Sequence, residues 1–306
     1  MSKIEIRLTP ELGEAVRRFR DAMGLFVRVK GTVDALPFPV RFRAEDLVVI
    51  EPDLNEAADI NGVNKLLNSI IVIDRQQQQE ARIYLKECGA MDLVEQTMPK
   101  RKRAAFSADF VDLAILYRLA QTNGAKEILE LGSGLSTVVL GHAASANGGH
   151  VTALEPDSNW AEHTRTTLPE CLRPHVSIIH SPSETVTLRN LETRALQLPS
   201  GVLPDLIYID GAPDGARFQG LESVMQLEND LKPGAVIAID SRVVAVKALL
   251  GLSIEGMPMH RERRMLRRTY ATIAQGMWVK PRNTKIPSGP YFGLDRFCIA
   301  AAMLIE

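Results

Sequence analysis

The stretch Glu127-Ile128-Leu129-Glu130-Leu131-Gly132-Ser133-Gly134-Leu135-Ser136-Thr137 decides the fold of this chain. A short apolar run, typical of a buried strand, leads to an acidic residue and then to two glycines that open a helix. Because glycine has no Cβ, such a turn lets the backbone approach a nucleoside ligand closely. The stretch therefore predicts a strand, a ligand-binding turn and a helix in succession.

Two nucleoside ligands use turns of this kind, a dinucleotide and S-adenosylmethionine (SAM). The dinucleotide fingerprint needs a third glycine at the position that Thr137 holds. Its pyrophosphate would also be repelled by Glu130, two residues before the first glycine, whereas a sulfonium and an ammonium would be attracted. The residues therefore favour SAM over NAD as the cofactor.

Length and composition set wider bounds. The 306 residues, 45% of them hydrophobic, can bury a full core and are many for one domain. The net charge of −1 gives no overall attraction to nucleic acids or anionic membranes. Three scattered cysteines without CxxC spacing favour reduced thiols, and no apolar leader or run of about 18 apolar residues stands out. We expect a cytoplasmic protein with no membrane segment, and the composition gives no clear nucleic-acid signal.

Two domains are predicted, with a boundary at the basic run Pro99–Arg103. Residues 1–100 show mixed helix and strand patterns and no catalytic constellation, so we expect an α/β accessory or dimerisation domain, or a lid over the pocket. A homodimer through this domain is one consequence. The patterns in it predict helices over Pro10–Met23, Asn55–Leu67 and Arg75–Cys88, and strands over Phe26–Val33, Val40–Ile50 and Ser69–Ile73.

Residues 101–306 begin with an amphipathic helix, predicted over Phe106–Gln121, and then alternate strands with helices. Such alternation indicates a mostly parallel, doubly wound, Rossmann-like sheet. The predicted strands are Glu127–Leu131, His150–Glu155, Val176–His180, Leu206–Asp210 and Ala235–Asp240. The predicted helices are Ser136–Ala146, Ser158–Leu168, Ser183–Gln197 and Phe218–Leu231.

Polar side chains stand where these strands end, at Glu155, Ser181, Asp210 and Asp240. Ligands of doubly wound sheets bind at that edge. Glu155, 21 residues after Gly134, suits two hydrogen bonds from ribose hydroxyls. Its alternative role is to complement a helix N-terminus, although Asp157 or Ser158 can cap that helix instead.

From Glu127 to about Val243 the chain resembles the class I SAM-dependent methyltransferases. The motifs are Glu-Leu-Gly-Ser-Gly-Leu-Ser-Thr (130–137) and Ala-Leu-Glu-Pro-Asp (153–157). The resemblance implies seven strands, with Thr272–Val279 and Phe297–Leu304 as an antiparallel closing pair. It also implies cofactor contacts at Glu130, Gly132, Ser133, Gly134, Ser136, Thr137, Glu155, Pro156 and Asp210.

The layout is most similar to the catechol-type O-methyltransferase branch. Residues 176–184 resemble its third-strand segment, which implies adenine contacts at Ser183 and Glu184. The alternative role of Ser181–Glu184 is a capping box that starts a helix.

In metal-dependent members of that branch, carboxylates matching Asp210 and Asp240 and an amide at position 241 bind Mg²⁺. This chain has Ser241, a weaker ligand, and Gly211-Ala212-Pro213 where the branch carries a general-base lysine. Without metal, Asp210 is the candidate catalytic residue that deprotonates or orients an acceptor. Its alternative role is structural, within its own turn.

The resemblance implies methyl transfer to an oxygen or nitrogen of a small-molecule acceptor. Two alternatives remain: a non-catalytic SAM-fold protein, and an aminopropyltransferase-like enzyme that uses a SAM-derived donor. The basic segment His260–Arg268 predicts a solvated helix or, alternatively, a surface for RNA, an acyl-carrier partner or a phosphorylated substrate. Residues 281–292 predict a loop that could cover the substrate.

Overall fold

The computed structural model describes residues 4–7, 40–43, 47–50, 75, 78–100, 109–188, 191–210, 223, 227, 231, 235–240, 268–274, 277–278 and 297–304. The chain divides into two compact units, Met1–Glu80 and Ala81–Glu306. The domain boundary near residue 100 and the dimerisation role of the first domain stay predictions. Several predicted segments lie outside the described residues: 10–23, 26–33, 55–67, 69–73, most of 218–231, 260–267 and 281–292.

The first unit contains an antiparallel sheet. Its strands are β1 (Ile4–Arg7), β2 (Val40–Arg43) and β3 (Leu47–Ile50), in the order β1-β3-β2. The β run predicted over 40–50 is thus two strands that pair with each other, Val40 with Ile50 and Arg43 with Leu47.

The second unit is built on an eight-stranded sheet. The parallel strands are β4 (Glu127–Leu131), β5 (His150–Glu155), β6 (Val176–His180), β9 (Leu206–Ile209) and β10 (Val236–Asp240). The antiparallel strands are β11 (Arg268–Ala274), β12 (Met277–Trp278) and β13 (Phe297–Leu304). The order is β12-β11-β13-β10-β9-β4-β5-β6, so the predicted mostly parallel, Rossmann-like fold class is confirmed.

The connections reverse direction at the centre of this sheet. From β4 the chain proceeds outward to β5 and β6, and it then returns to β9 and β10 on the other side of β4. The switch point therefore lies between β4 and β9, which pair in parallel from Ile128 and Leu206 to Leu131 and Ile209. A crevice at the carboxyl ends of strands on either side of such a reversal is where ligands bind in open α/β sheets.

Helices pack their apolar faces against this sheet and one another. They are α1 (residues 78–87), α2 (Ala90–Thr97), α3 (Phe110–Thr122), α4 (Leu135–Ala146) and α5 (Ser158–Thr167). Gly89, with φ of 77°, separates α1 from α2, which agrees with the predicted end of the first helix at this glycine. Among these helices, none is long and apolar enough to cross a membrane.

Helix α3 is largely buried, with nine buried residues out of thirteen. It begins four residues later than the predicted Phe106 because Asp109 caps it. The Asp109 carboxylate accepts hydrogen bonds from the backbone N–H groups of Val111 and Asp112, at 3.1 and 3.3 Å.

The helix predicted over Ser183–Gln197 is wrong. Two antiparallel strands stand there, β7 (Ser183–Leu188) and β8 (Leu191–Leu196), and Leu188 pairs with Leu191 across a two-residue connection. The sequence Thr185-Val186-Thr187 is rich in β-branched residues, which favour strands. The prediction gave more weight to the capping pattern at Ser181–Glu184 than to these strand-forming residues. Because no helix begins there, the capping-box role of Ser181–Glu184 is also wrong.

The closing strands also differ in one detail from the predicted seven. The strand expected over Thr272–Val279 is a hairpin, β11 and the two-residue β12, with Ala274 paired to Met277. Ile273 pairs with Trp278 in the same antiparallel register. Strand β13 pairs antiparallel with both β10 and β11, as the family resemblance implied.

Candidate cofactor site at the strand switch point

Gly132 belongs to the turn after β4 and lies against the residue that follows β9. Its φ is 116°, a conformation that residues with a Cβ rarely adopt. A Cβ built on Gly132 would also lie 3.1 Å from the Cβ of Asp210. The backbone N–H of Asp210 donates to Leu131 O at 3.0 Å, and that of Gly132 donates to Leu154 O at 2.8 Å. The fold itself therefore requires glycine at position 132.

Gly134 differs from Gly132 in what surrounds it. A Cβ built on Gly134 would meet no atom within 4 Å among the described residues, and its φ of 169° is ordinary extended backbone. Its N–H donates to Thr137 Oγ1 at 2.8 Å, which closes the first turn of α4. The space beside Gly134 is open among the described residues, so a ligand has room to approach the backbone here.

Glu130 is a fully buried carboxyl group just below the turn. Ser136 Oγ donates a hydrogen bond to its Oε1, and its Oε2 has no hydrogen-bond partner among the described residues. Burial raises the pKa of Glu130 to about 8; the hydroxyls of Ser136 and Thr137 act against this shift, and the charges of Asp210 and Glu155 add to it.

The unpartnered Oε2 is costly in either protonation state. A charged oxygen there lacks a donor, and a protonated one lacks an acceptor, among the residues described around it. A cation or a donor group from a ligand would satisfy it. The chemistry of this atom fits the ammonium of SAM better than a phosphate.

Glu155 lies at the end of β5 and is also buried, with 6% of its surface exposed. Ser133 Oγ donates to Oε2 at 2.8 Å, and Asp157 N donates to Oε1 at 3.1 Å. Burial raises the pKa of Glu155, and these hydrogen bonds oppose the shift. The backbone N–H of Ser133 also favours the charged form of Glu155. With about four acceptor positions on its two oxygens, the carboxylate keeps capacity for a ribose hydroxyl.

Asp157 caps the following helix, as one of the two predicted candidates. Its carboxylate accepts from the N–H groups of Asn159 and Trp160 at 2.8 and 2.9 Å. Because Asp157 caps this helix, Glu155 is not needed at the helix N-terminus and its carboxylate is available for another role. Pro156 lies between the two carboxylates and is half-buried.

Ser133 connects the glycine turn to helix α5. Trp160 Nε1 donates to the Ser133 carbonyl at 2.7 Å, and Ser133 Oγ lies 3.1 Å from Thr164 Oγ1. Sequence reasoning did not single out Trp160 or Thr164. Their spacing of four residues places both on one face of a helix, but no sequence signal indicates that this face meets the turn.

The candidate metal ligands are described in part. Asp210 is half-buried at the end of β9 beside Gly132, and the backbone of β10 reaches Asp240. The side chains of Asp240 and Ser241 lie outside the described residues. Among the described side chains, no group of three or more His, Cys, Asp and Glu has a geometry that would hold a metal ion. The magnesium site stays a prediction.

The predicted adenine segment lies next to Glu155. Ser181 is buried, and its backbone N–H donates to Glu155 O at 2.9 Å. Ser183 is half-buried and accepts a hydrogen bond from Arg194 Nη1 at 3.0 Å, while Glu184 is exposed. The adenine contacts of Ser183 and Glu184 stay predictions, now placed on a hairpin and not on a helix.

The site thus gathers the residues predicted from the first two motifs. Glu130, Gly132, Ser133, Gly134, Ser136, Thr137 and Glu155 lie in or against one turn, and Asp210 adjoins it from β9. Residues 129–241 match the family described as "Methyltransferase domain". This match confirms the resemblance to class I SAM-dependent methyltransferases over that segment. No curated protein matches the chain.

Several solved structures are similar to this chain. An O-methyltransferase from Bacillus cereus, crystallised with S-adenosylhomocysteine (SAH), has 19% identity over 74% of this chain and 90% of that one, with a TM-score of 0.40. The Podospora anserina methyltransferase PaMTH1, also SAH-bound, has 18% identity over 71% and 88%, with a TM-score of 0.42. The O-methyltransferase TomG from Streptomyces achromogenes has 20% identity over 70% and 90%, with a TM-score of 0.40.

Proposed function

We propose that this protein is a SAM-dependent methyltransferase that acts on an oxygen or nitrogen of a small molecule. The observation that carries the proposal is Glu130 Oε2, a buried carboxyl oxygen without a partner among the described residues, beside a turn with open space at Gly134. The match of residues 129–241 to a methyltransferase domain supports it.

When bound, SAM supplies an electrophilic methyl group on a sulfonium. Glu130 would hold its ammonium, because a cation at Oε2 removes the cost of the unpaired oxygen and favours the charged carboxylate. Glu155 would accept hydrogen bonds from the ribose hydroxyls. Gly134 would leave room for the cofactor, and Ser183 and Glu184 would border the adenine.

Asp210 is the proposed acceptor-activating residue. It follows β9 directly, adjoins Gly132, and is close enough to Glu130 for its charge to raise the pKa of that group. A carboxylate at the switch point can take or orient the proton of an acceptor hydroxyl or amine. If Mg²⁺ takes part, Asp210 and Asp240 would supply its oxygen ligands, since hard cations prefer carboxylates.

The catechol-type branch guides the choice of acceptors. Sequence similarity to that branch runs through the third, fourth and fifth strands, so phenols and catechols come first in a screen, followed by small amines. Residues 1–100 are proposed to form a dimerisation or pocket-covering domain.

The proposal is tested by calorimetric titration of the full chain with SAH, with and without Mg²⁺, and with NAD as the control. Micromolar binding of SAH and no binding of NAD is the expected result, and turnover with an acceptor would then complete the assignment. Absence of SAH binding would overturn it. Tight SAH binding without turnover of any acceptor would favour a non-catalytic SAM-binding role.

A further inference from the structure

Helix α5 contacts the glycine turn through two side chains that meet the same residue, Ser133. Trp160 Nε1 donates to the main-chain oxygen of Ser133 at 2.7 Å. Thr164, one helical turn later, places its hydroxyl 3.1 Å from Ser133 Oγ. The helix therefore holds both the backbone and the side chain of the residue between the two glycines.

The protons of the two hydroxyl groups can be assigned by counting. Each hydroxyl has a single proton to donate. The Ser133 proton is committed to Glu155 Oε2, 2.8 Å away. The proton shared between the two hydroxyls therefore comes from Thr164.

One other acceptor competes for that Thr164 proton. The carbonyl of Trp160 lies 3.0 Å from Thr164 Oγ1. In an α-helix that carbonyl already accepts the N–H of residue 164. Because a carbonyl oxygen has two acceptor positions, the Thr164 proton is shared between Trp160 O and Ser133 Oγ, and only the bond to Ser133 reaches the glycine turn.

We infer that Thr164 is a positioning residue for Glu155 and that it acts through Ser133. The directed chain from Thr164 to Ser133 to Glu155 fixes the rotation of the carboxylate, so that its free acceptor positions face the ribose hydroxyls. Trp160 holds the Ser133 backbone in the register that this chain needs. The inference rests on the proposed function, because it concerns affinity for the same cofactor.

A small cavity adjoins the contact between α5 and the glycine turn. Its volume is about 10 Å³, and it is lined in part by Gly134, Trp160 and Thr164. Roughly this volume accommodates one water molecule, so the helix is not sealed against the turn by side-chain packing. Replacing Thr164 with valine keeps the shape of the side chain and removes the hydroxyl alone.

Helix α5 offers a matched control in Thr167. It is buried like Thr164 and lines the same cavity. Its hydroxyl, however, lies within hydrogen-bond distance of the carbonyls of its own helix, His163 O at 2.9 Å and Thr164 O at 3.3 Å. Thr167→Val therefore makes the same chemical change in the same helix without touching Ser133.

The test is calorimetric titration of the full chain with SAH. Thr164→Val is expected to weaken binding by about 3- to 10-fold, the equivalent of one hydrogen bond. Thr164→Ser, which keeps the hydroxyl, and Thr167→Val should bind within about twofold of the wild type. Trp160→Phe, which keeps an aromatic side chain of smaller size but loses the N–H, is the second variant and should weaken binding to a similar extent.

A double variant separates positioning from general structural damage. In a Glu155→Ala background, Thr164→Val should cause no further loss, because the group that it positions is gone. An equal loss in both backgrounds, or wild-type affinity in Thr164→Val and Trp160→Phe, would overturn the inference and leave the proposed function standing. If the wild type itself does not bind SAH, the proposed function fails and this inference fails with it.

Discussion

Gly132 and Asp210 lie side by side at the ends of two neighbouring parallel strands, so close that a Cβ on Gly132 would be 3.1 Å from the Cβ of Asp210. The strands are β4 and β9, on either side of the reversal in the sheet. The cofactor turn and the candidate catalytic carboxylate are therefore fixed to each other by the backbone, without depending on a mobile loop. A methyl donor held by one and an acceptor held by the other would be aligned by the sheet itself.

The two glycines of the turn should respond differently to alanine. Gly132→Ala is expected to lower the free energy of unfolding by about 1–3 kcal/mol, because of the positive φ and the contact with Asp210. Gly134→Ala should change stability by less than about 0.5 kcal/mol, since its backbone is extended and the space around it is open. Urea unfolding followed by circular dichroism measures both.

Comparing Gly132→Ala with Gly134→Ala also distinguishes an effect on stability from an effect on ligand binding. Gly134→Ala should weaken SAH binding by about 5- to 100-fold, because the new Cβ occupies space that the ligand needs. Calorimetry on the well-folded Gly134→Ala protein gives the value. Wild-type affinity would mean that the ligand does not pass over this glycine.

Glu155→Ala should weaken SAH binding by about 1–3 kcal/mol through loss of charge-assisted hydrogen bonds. The matched control is Glu162→Ala, on the exposed side of α5, where the carboxylate pairs with Arg165 at 2.9 Å. It should leave the affinity unchanged, since an exposed pair of this kind contributes little. Equal behaviour of the two variants would refute the ribose assignment.

The sequence predicts those parts of this site that depend on local pattern. The predicted bounds of strands β4, β5 and β6 agree residue for residue with the structure, because each is a short, mostly apolar run. Strands β5 and β6 end at a polar residue, and β4 ends at Leu131, directly before the glycine turn. Their parallel arrangement places Glu130 and Glu155 at the same edge. This placement follows from the sequence pattern alone, because the carboxyl ends of neighbouring parallel strands lie at the same edge of the sheet.

Two features escaped prediction for different physical reasons. The hairpin β7–β8 carries conflicting local signals, a helix-capping pattern followed by β-branched residues, and the pairing of the two strands decided the outcome. The contact of Trp160 and Thr164 with Ser133 joins residues 27 and 31 positions apart. It depends on how α5 lies over the turn, which periodicity does not specify.

Asp210→Asn separates cofactor binding from acceptor chemistry. Asparagine keeps the size and hydrogen-bonding reach of the side chain but cannot take a proton. We expect SAH affinity to stay within about threefold and kcat to fall by about 10²- to 10⁴-fold with the acceptor found in the screen. Full activity would assign Asp210 a structural role in its own turn.

Glu130 gives the protein a pH dependence whose sign can be derived. The pKa of this carboxyl rises from 4.5 to about 8 on folding, chiefly through burial. Between these values the folded protein holds a proton that the unfolded chain has released. The contribution to stability is therefore complete below about pH 4.5, and it is lost as the pH rises through about 8, at up to about 1.4 kcal/mol per pH unit.

Glu130→Gln should remove this dependence, because the amide stays neutral at every pH. Its stability relative to the wild type should increase from pH 5 to pH 8 and then level off. Both tryptophans, Trp160 and Trp278, belong to the second unit, so their fluorescence during urea unfolding follows the part of the chain that contains Glu130. Glu127→Gln, an exposed change at the start of the same strand, is the control and should keep the wild-type profile. If the free energy of unfolding varies with pH in the same way for wild type and Glu130→Gln, Glu130 is ionised in the folded protein throughout this range. The proposal of a buried, protonated carboxyl that a cation would pair with then fails.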